Sequence, residues 1–373
     1  MRILDRSIIL RFFWNFAILF TLLYLFATAV DTILNVDDFL SAAGKAVEAQ
    51  RYPNRFVAVL ALITQFHAPR ALQFFQFMVG LVCIGAMGFT FVQMHRAREL
   101  VAIMAAGVPL RRCVWAVMAA ALVLNVLQVL NQEYLLPHVA ERLIQGHSEI
   151  GRDDGGAFAV PLTRDSAGNL LYATLLDPEH GRIQGFLALE RNANGELVRR
   201  TTAVSAAWDA QQGGWVLQGG QTLERDPAKR EASSVQTQAA PATLYKTDLS
   251  PRTLTARHSR LYLQLLSSRD LREVAAAGAL EQSVADRMQV GRIGSVLVNL
   301  LVLAIAVPFF LQRGPVGMMR QTMLCAGLCV PAIIVSAVLM ATPIGGLPPM
   351  VSAILPIAAL LPAAVARVSW MPS

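Results

Sequence analysis

The sequence predicts an α-helical membrane protein of six transmembrane helices, three on either side of an inserted antiparallel β-domain of sandwich or jelly-roll-like type. Three observations point there. Of 373 residues, 55% are hydrophobic and 15% charged, with mean hydropathy +0.48, whereas soluble domains carry about 25% charged residues. Six apolar runs approach the roughly 20 residues that a hydrocarbon core demands. Between the third and fourth runs, residues 137–257 lose these long stretches and alternate with a period of two.

Taken in order, Arg2, Arg6 and Arg11 precede an uncharged run, 12–30, which reads as a first span with its N-terminus inside. Ala27-Thr28-Ala29 resembles a signal-peptidase site, but the run is long for a signal peptide and further spans follow. Residues 31–73 are mixed. Their apolar piece, 56–66, is too short to span and is expected to stop at His67-Ala68-Pro69. The second span is 74–94, where Gly80, Gly85, Ala86 and Gly88 admit a neighbouring backbone.

The segment His95 to Arg112 (HRARELVAIMAAGVPLRR) follows. It predicts a short helix over 98–106 with Leu100, Val101, Ile103 and Met104 as its apolar side. Gly107 stops it in a left-handed conformation, and Pro109 prevents it resuming. Arg96, Arg98, Arg111 and Arg112 bracket it and mark the cytoplasmic side. Such a helix either lies among headgroups or serves as a handle for a soluble partner.

A third span, 114–130, carries Asn125, Gln128 and Asn131 toward the bundle and ends at Pro137. Strands are expected at 160–163, 169–177, 182–190, 196–209, 213–224 and 242–249, with a loop over 226–241. Ser267 and Asp270 form a capping box that opens a helix over 271–290. Spans follow at 293–311, at 323–340 with a kink near Pro331, and at 350–366. The domains are therefore 1–136, 137–257 and 258–373. Arg313 and Arg320 beside the Gly314-Pro315 turn, and Arg367, extend the inside charge, which puts both termini in the cytoplasm.

Several chemistries are absent from the sequence. The net charge of +7 comes with no nucleic-acid-binding motif. Gly44-Lys45 is the nearest approach to a P-loop, but Phe39 replaces its first glycine. No HExxH or GxSxG occurs, and no cofactor site is expected. The cysteines at 83, 113, 325 and 329 lie in or beside apolar runs, where packing is the expected role. The spans hold almost no ionisable residue, which argues against ion-coupled transport. Work, if done, enters from another chain.

The chain resembles the LptF/LptG (YjgP/YjgQ) family, the membrane subunits of the lipopolysaccharide-exporting ABC transporter. The resemblance is carried by Leu4-Asp5-Arg6, by Pro69 before the second span, by Arg98 through Gly107, by Pro308, and by the 3+β+3 layout. It implies a permease that draws lipopolysaccharide or a related lipid from the inner membrane, laterally between spans one and five. The lipid then passes through the periplasmic β-domain. Implied partners are a paralogous LptF/LptG-type subunit, a cytoplasmic LptB-like ATPase dimer, and periplasmic LptC/LptA-like β-jelly-roll proteins. Arg96, Arg98, Glu99, Leu100, Ile103, Met104 and Gly107 become candidates for ATPase coupling. The lysines that members of the family can carry after span one are absent; Asp31, Asp37 and Asp38 stand there. Lys45, Arg55, Arg70, Arg287 and Arg292 are the alternative headgroup cations. Leu171, Phe186, Leu187, Leu189, Trp208 and Trp215 are candidates for a lipid groove. The competing classes are a membrane-anchored envelope scaffold and a four-span mechanotransmitter of MacB or FtsX type.

Overall fold

The computed structural model describes residues 3–144, 146, 157–192, 196–224, 239–276, 278, 280–311, 317–342 and 348–369. Arg2, Arg313 with the Gly314-Pro315 turn, residues 226–238 and residues 343–347 lie outside this set. Among the described residues six helices are long and apolar enough to cross a membrane, unlike a four-span layout. The chain forms two compact units. One comprises Met1–Leu34, His67–Leu136 and Ser283–Ser373; the other comprises Asn35–Phe66 and Pro137–Gln282. Residues 35–66 and 258–282, grouped by sequence with the spans, thus cluster with the strands.

In the helical unit, α1 (Ile3–Leu34) runs through Ala27-Thr28-Ala29 without a break. The second spanning helix, α3 (Arg55–Arg96), is also continuous and contains Pro69, so the expected stop at His67-Ala68-Pro69 does not occur. Proline removes one backbone donor and crowds the preceding turn, but neighbouring groups can hold a spanning helix together there. Here Tyr24 Oη on α1 donates to the His67 carbonyl. An aromatic ladder of Phe16, Phe20, Tyr24, Phe74 and Phe75 joins α1 to α3.

The loop helix α4 is Glu99–Ala105, followed by α5 (Arg111–Leu130) and a π turn (Asn131–Leu135). The helix does not end at Pro137. It continues as α6 (Leu136–Leu143), the wider turn taking up the residues just before the proline. The remaining spans are α10 (Gln282–Phe310), α11 (Met318–Ala341) and α12 (Pro349–Ser369). The single helix expected over 271–290 is instead α9 (Ser268–Ala276) followed by α10. Gly278 (φ +69°), a conformation that closes helices, stands between them.

The centre of this unit is held by amides. Asn299 Nδ2 on α10 donates to Asn125 Oδ1 at 3.1 Å and Gln128 Oε1 at 3.3 Å on α5. Gln128 Nε2 donates to the Gln76 carbonyl at 2.9 Å, and Asn131 Nδ2 to the Leu72 carbonyl at 3.0 Å, both on α3. Asn125, Gln128 and Asn131 are therefore buried in the bundle, as their positions predict. Gly80 makes this possible, because a Cβ there would sit 2.1 Å from Asn299 Oδ1. The apolar core of this unit includes Phe12, Val79, Met87, Phe91, Val117, Ala121, Val302 and Val307.

The second unit holds α2 (Val36–Glu48), whose Ala42 and Ala43 pack on Ala58 and Leu62 of α3. Its strands are β1 (Phe158–Arg164), β2 (Leu170–Asp177), β3 (Arg182–Arg191), β4 (Leu197–Asp209), β5 (Gly214–Gln218), β6 (Gln221–Glu224), β7 (Ala239–Pro241) and β8 (Leu244–Lys246). Every pairing is antiparallel. The run 213–224 divides into two strands, and the end of the expected 226–241 loop pairs as β7.

The inside-outside alternation slips at the row formed by Thr174, Gly185 and Val204 in β2, β3 and β4 together. On one side of this row β4 pairs with β5, and on the other with β6, in the jelly-roll-like sheet. Its core includes Leu171, Leu176, Ile183, Phe186, Trp215 and Tyr245. The helices α7 (Pro251–His258), α8 (Arg260–Leu265) and α9 follow. Ser267 Oγ accepts from Asp270 N at 3.1 Å and donates to Asp270 Oδ2 at 2.8 Å, so the serine half of the expected capping box forms while the carboxylate takes the serine hydroxyl in place of its backbone N–H.

Candidate functional site

The segment between the second and third spans is built as its sequence dictates. Arg98 (φ +54°) and Gly107 (φ +73°) occupy left-handed conformations on either side of α4. Gly107 N donates to the Met104 carbonyl at 3.0 Å, and Val108 N to the Ile103 carbonyl at 3.1 Å. This paired closure is a Schellman motif, and it needs a C′ residue that tolerates positive φ. The helix is shorter than the expected 98–106 because the left-handed Arg98 cannot be its first turn.

Not every predicted coupling residue faces outward. Leu100 and Ile103 are buried in the core of the helical unit, with Met104 partly buried against it. Val101, expected on the apolar side, is instead exposed, because it lies about 100° round the helix from Leu100. The open face is Val101, Ala102, Ala105 and Ala106, with Arg96, Arg98, Gly107 and Arg111 exposed around it. This is a small, apolar surface with a cationic rim.

Glu99 is not free. Arg11 Nη1 on α1 lies 2.6 Å from Glu99 Oε2, with the two side chains 39% and 36% exposed. Nearby in sequence, Arg112 grips Asp5 of α1 through Nε at 2.8 Å and Nη2 at 2.9 Å. His95 Nε2–H donates to the Phe310 carbonyl at 2.8 Å, at the end of α10. The Arg367 guanidinium sits 4.6 Å over the Phe309 ring. These contacts gather the start of α1, the α4 segment and the ends of α10 and α12 at one end of the helical unit. Sequence reasoning missed Asp5 and Arg11 as partners, since nothing in a single sequence reports which distant charges meet.

The headgroup candidates divide between the two units. In the helical unit, Arg292 Nη1 faces Glu133 Oε1 at 3.6 Å, and Asp31 and Tyr24 are the charge neighbours of Arg70. Arg287 is buried, and its Nη1 has no hydrogen-bond partner among the described residues. In the other unit, Lys45 and Arg55 are exposed, with Arg55 Nη2 3.4 Å from the Leu40 carbonyl.

The groove candidates divide between the two faces of the sheet. Leu171, Phe186 and Trp215 lie in the closed core, and Trp208 is partly buried against Trp215 with ring centroids 5.3 Å apart. Tyr245 packs on Phe186 there, and burial raises its phenol above the usual range, keeping it neutral. Leu187 and Leu189 face the other way, paired with Tyr172 and Leu170 of β2. There they are half-exposed.

All four cysteines are free and buried, as packing residues are. Among the described residues no cluster of His, Cys, Asp and Glu has the form of a metal site.

A family model described as "Lipopolysaccharide export system permease LptF/LptG" matches residues 6–370. No curated protein matches the chain. The match takes in every span, the strands and the α4 segment. The chain belongs to the LptF/LptG family of lipopolysaccharide export system permeases.

Proposed function

We propose that this chain is the permease half of a transporter that extracts lipopolysaccharide or a closely related lipid from the inner membrane, with the work supplied by a separate ATPase dimer docking on α4. The observation that carries this reading is the form of α4. It is fixed at both ends by left-handed residues, rooted in the core by Leu100 and Ile103, and open on a face of Val101, Ala102, Ala105 and Ala106. A helix lying among headgroups would direct its large apolar side chains toward lipid. Here Leu100 and Ile103 serve the protein's own core, and the exposed face, Val101 with three alanines, is small enough to seat in a groove of another protein.

In this reading both termini and α4 are cytoplasmic, as the arginine distribution favours, and the strands are periplasmic. A paralogous subunit completes the pathway, and an LptC/LptA-like jelly-roll protein receives the lipid. Among the cations, Arg287 suits a headgroup phosphate best, since it is buried with an N–H still to be satisfied. Within the strands, the half-exposed side of Leu170, Tyr172, Leu187 and Leu189 suits acyl chains better than the filled core behind it.

The test is co-purification in mild detergent followed by reconstitution with lipopolysaccharide. An ATPase subunit should accompany the wild-type chain, and Val101→Asp with Ala105→Asp should release it. A chain that purifies without a nucleotide-binding subunit and moves no lipid would be a scaffold instead.

A further inference from the structure

The end of α1 remote from the α4 segment is lightly held. The buried residues of α1 are Ile8, Phe12, Asn15 and Phe16. Farther along, Leu22, Leu25, Phe26 and Ile33 are each at least 60% exposed. The aromatic ladder to α3 has Tyr24 as its last rung on α1. From there on, α1 meets α3 at His67. Tyr24 Oη donates to the His67 carbonyl, Thr32 Oγ1 lies 3.2 Å from the ring Nε2, and Asp31 Oδ2 lies 3.6 Å from the same nitrogen. The ring is buried, while the Asp31 side chain is 37% exposed. Asp31 and Thr32 follow Tyr24 by two turns on the same face, so the contacts cover about 12 Å of helix.

Two of these contacts are indifferent to charge. The His67 carbonyl accepts from Tyr24 whatever the ring carries. A threonine hydroxyl can donate to a bare imidazole nitrogen or accept from a protonated one. The third contact is different, because Asp31 gains a charge pair only when the imidazolium forms, and imidazole changes charge within about pH 5 to 8. Arg70 sharpens this dependence. It lies three residues on from His67, on the same face of α3, and Asp31 and Tyr24 are its charge neighbours. A charged His67 beside Arg70 is a like-charge pair, relieved when the Asp31 carboxylate stands between the two. The titratable and charged groups about the ring are thus Tyr24 and Asp31 on α1 and Arg70 on α3. Asp37 and Asp38, on the following α2, are exposed.

We propose that His67 is a positioning residue that clasps the end of α1 to α3 when its ring is charged and lets that end swing away when the ring is neutral. This rests on the reading of the chain as a lipid permease, in which this end of α1 is periplasmic and its movement admits lipid to the bundle. The hold is therefore present in acid and lost as pH rises through the titration of the ring, so acid slows lipid movement.

The experiment uses the full chain reconstituted with its ATPase, with lipopolysaccharide as the probe lipid, at about pH 5 and about pH 8. Each variant is read as its rate of ATP-dependent lipid release relative to wild type at the same pH, which cancels the ATPase's own response. His67→Gln keeps a donor for Thr32 but carries no charge. It should release lipid about threefold faster than wild type in acid, the size of effect a partly exposed ion pair supplies, and at the wild-type rate at the higher pH. Hydrogen exchange over residues 25–34, corrected for the intrinsic effect of pH on exchange, reads the clasp itself. Wild type should be better protected in acid, and His67→Gln should be indifferent. Asp31→Asn should reverse the wild-type response, because the charged ring then faces Arg70 with no carboxylate between them. This partly exposed site also covers the case of a His67 variant that does not fold.

The proposal is overturned if His67→Gln keeps the same ratio to wild type at both pH values. It is also overturned if residues 25–34 of Asp31→Asn respond to acid as wild type does. A wild-type complex that moves no lipid defeats the permease reading, and with it the use of the clasp, even where exchange follows pH as expected. A complex that moves lipid while exchange over 25–34 ignores pH defeats the clasp alone.

Discussion

The middle of the helical unit and its α4 end solve the problem of joining helices in opposite ways. In the middle, uncharged amides join α3, α5 and α10, with Asn125, Gln128 and Asn131 buried and Asn299 partly so. At the α4 end, charged pairs that are partly exposed join α1 to the loop segment. A buried amide that loses its partner has no water to replace it, so the middle is costly to open. An exposed ion pair exchanges its partner for water at little cost. The first region is suited to staying put, and the second to being pushed.

The largest expected effect is at the amide centre. Gly80→Leu would drive a side chain into Asn299 and should destabilise the protein by about 3 kcal/mol, the upper end of ordinary overpacking. A large fall in the thermal unfolding midpoint in detergent would show it; an unchanged midpoint would mean that α3 and α10 are not clamped there. Asn299→Leu strips donors from Asn125 and Gln128 and should cost about 1–2 kcal/mol, the usual range for such bonds between spanning helices.

At the other end, Gly107→Ala places a Cβ at φ +73° and should cost about 1 kcal/mol, felt locally. Faster hydrogen exchange confined to residues 103–110 would reveal it; the lipid-release assay should fall more than the unfolding midpoint does. The smallest change in stability is expected for Asp5→Asn, whose pair with Arg112 is partly exposed. Its unfolding midpoint should match wild type while transport drops. If Asp5→Asn lowers the midpoint as Asn299→Leu does, the contrast between the two regions fails.

Much of this was legible in the sequence because each feature is local. Gly107, the serine half of the capping box at Ser267 and Asp270, and the inward-facing Asn125, Gln128 and Asn131 follow from neighbours a few residues away. What was missed depends on distant partners. Pro69 reads as a break, yet Tyr24 on another helix braces the turn beside it. Leu100, Val101, Ile103 and Met104 read as one apolar side because apolar content alone does not say which of them meet the bundle. Glu99 reads as an outward carboxylate because Arg11 lies 88 positions away. The strand candidates were legible as apolar, while the row at Thr174, Gly185 and Val204, where the alternation changes sides, decides which of them meet the core.

The central claim is that α4 offers its small face to an ATPase. Placing a photo-crosslinking amino acid at Val101 and irradiating the complex in native membranes tests it directly. The account predicts a covalent adduct with the nucleotide-binding subunit, lost when Ala105→Asp is added. An adduct with phospholipid alone, from a complex in which the ATPase is present, would contradict it.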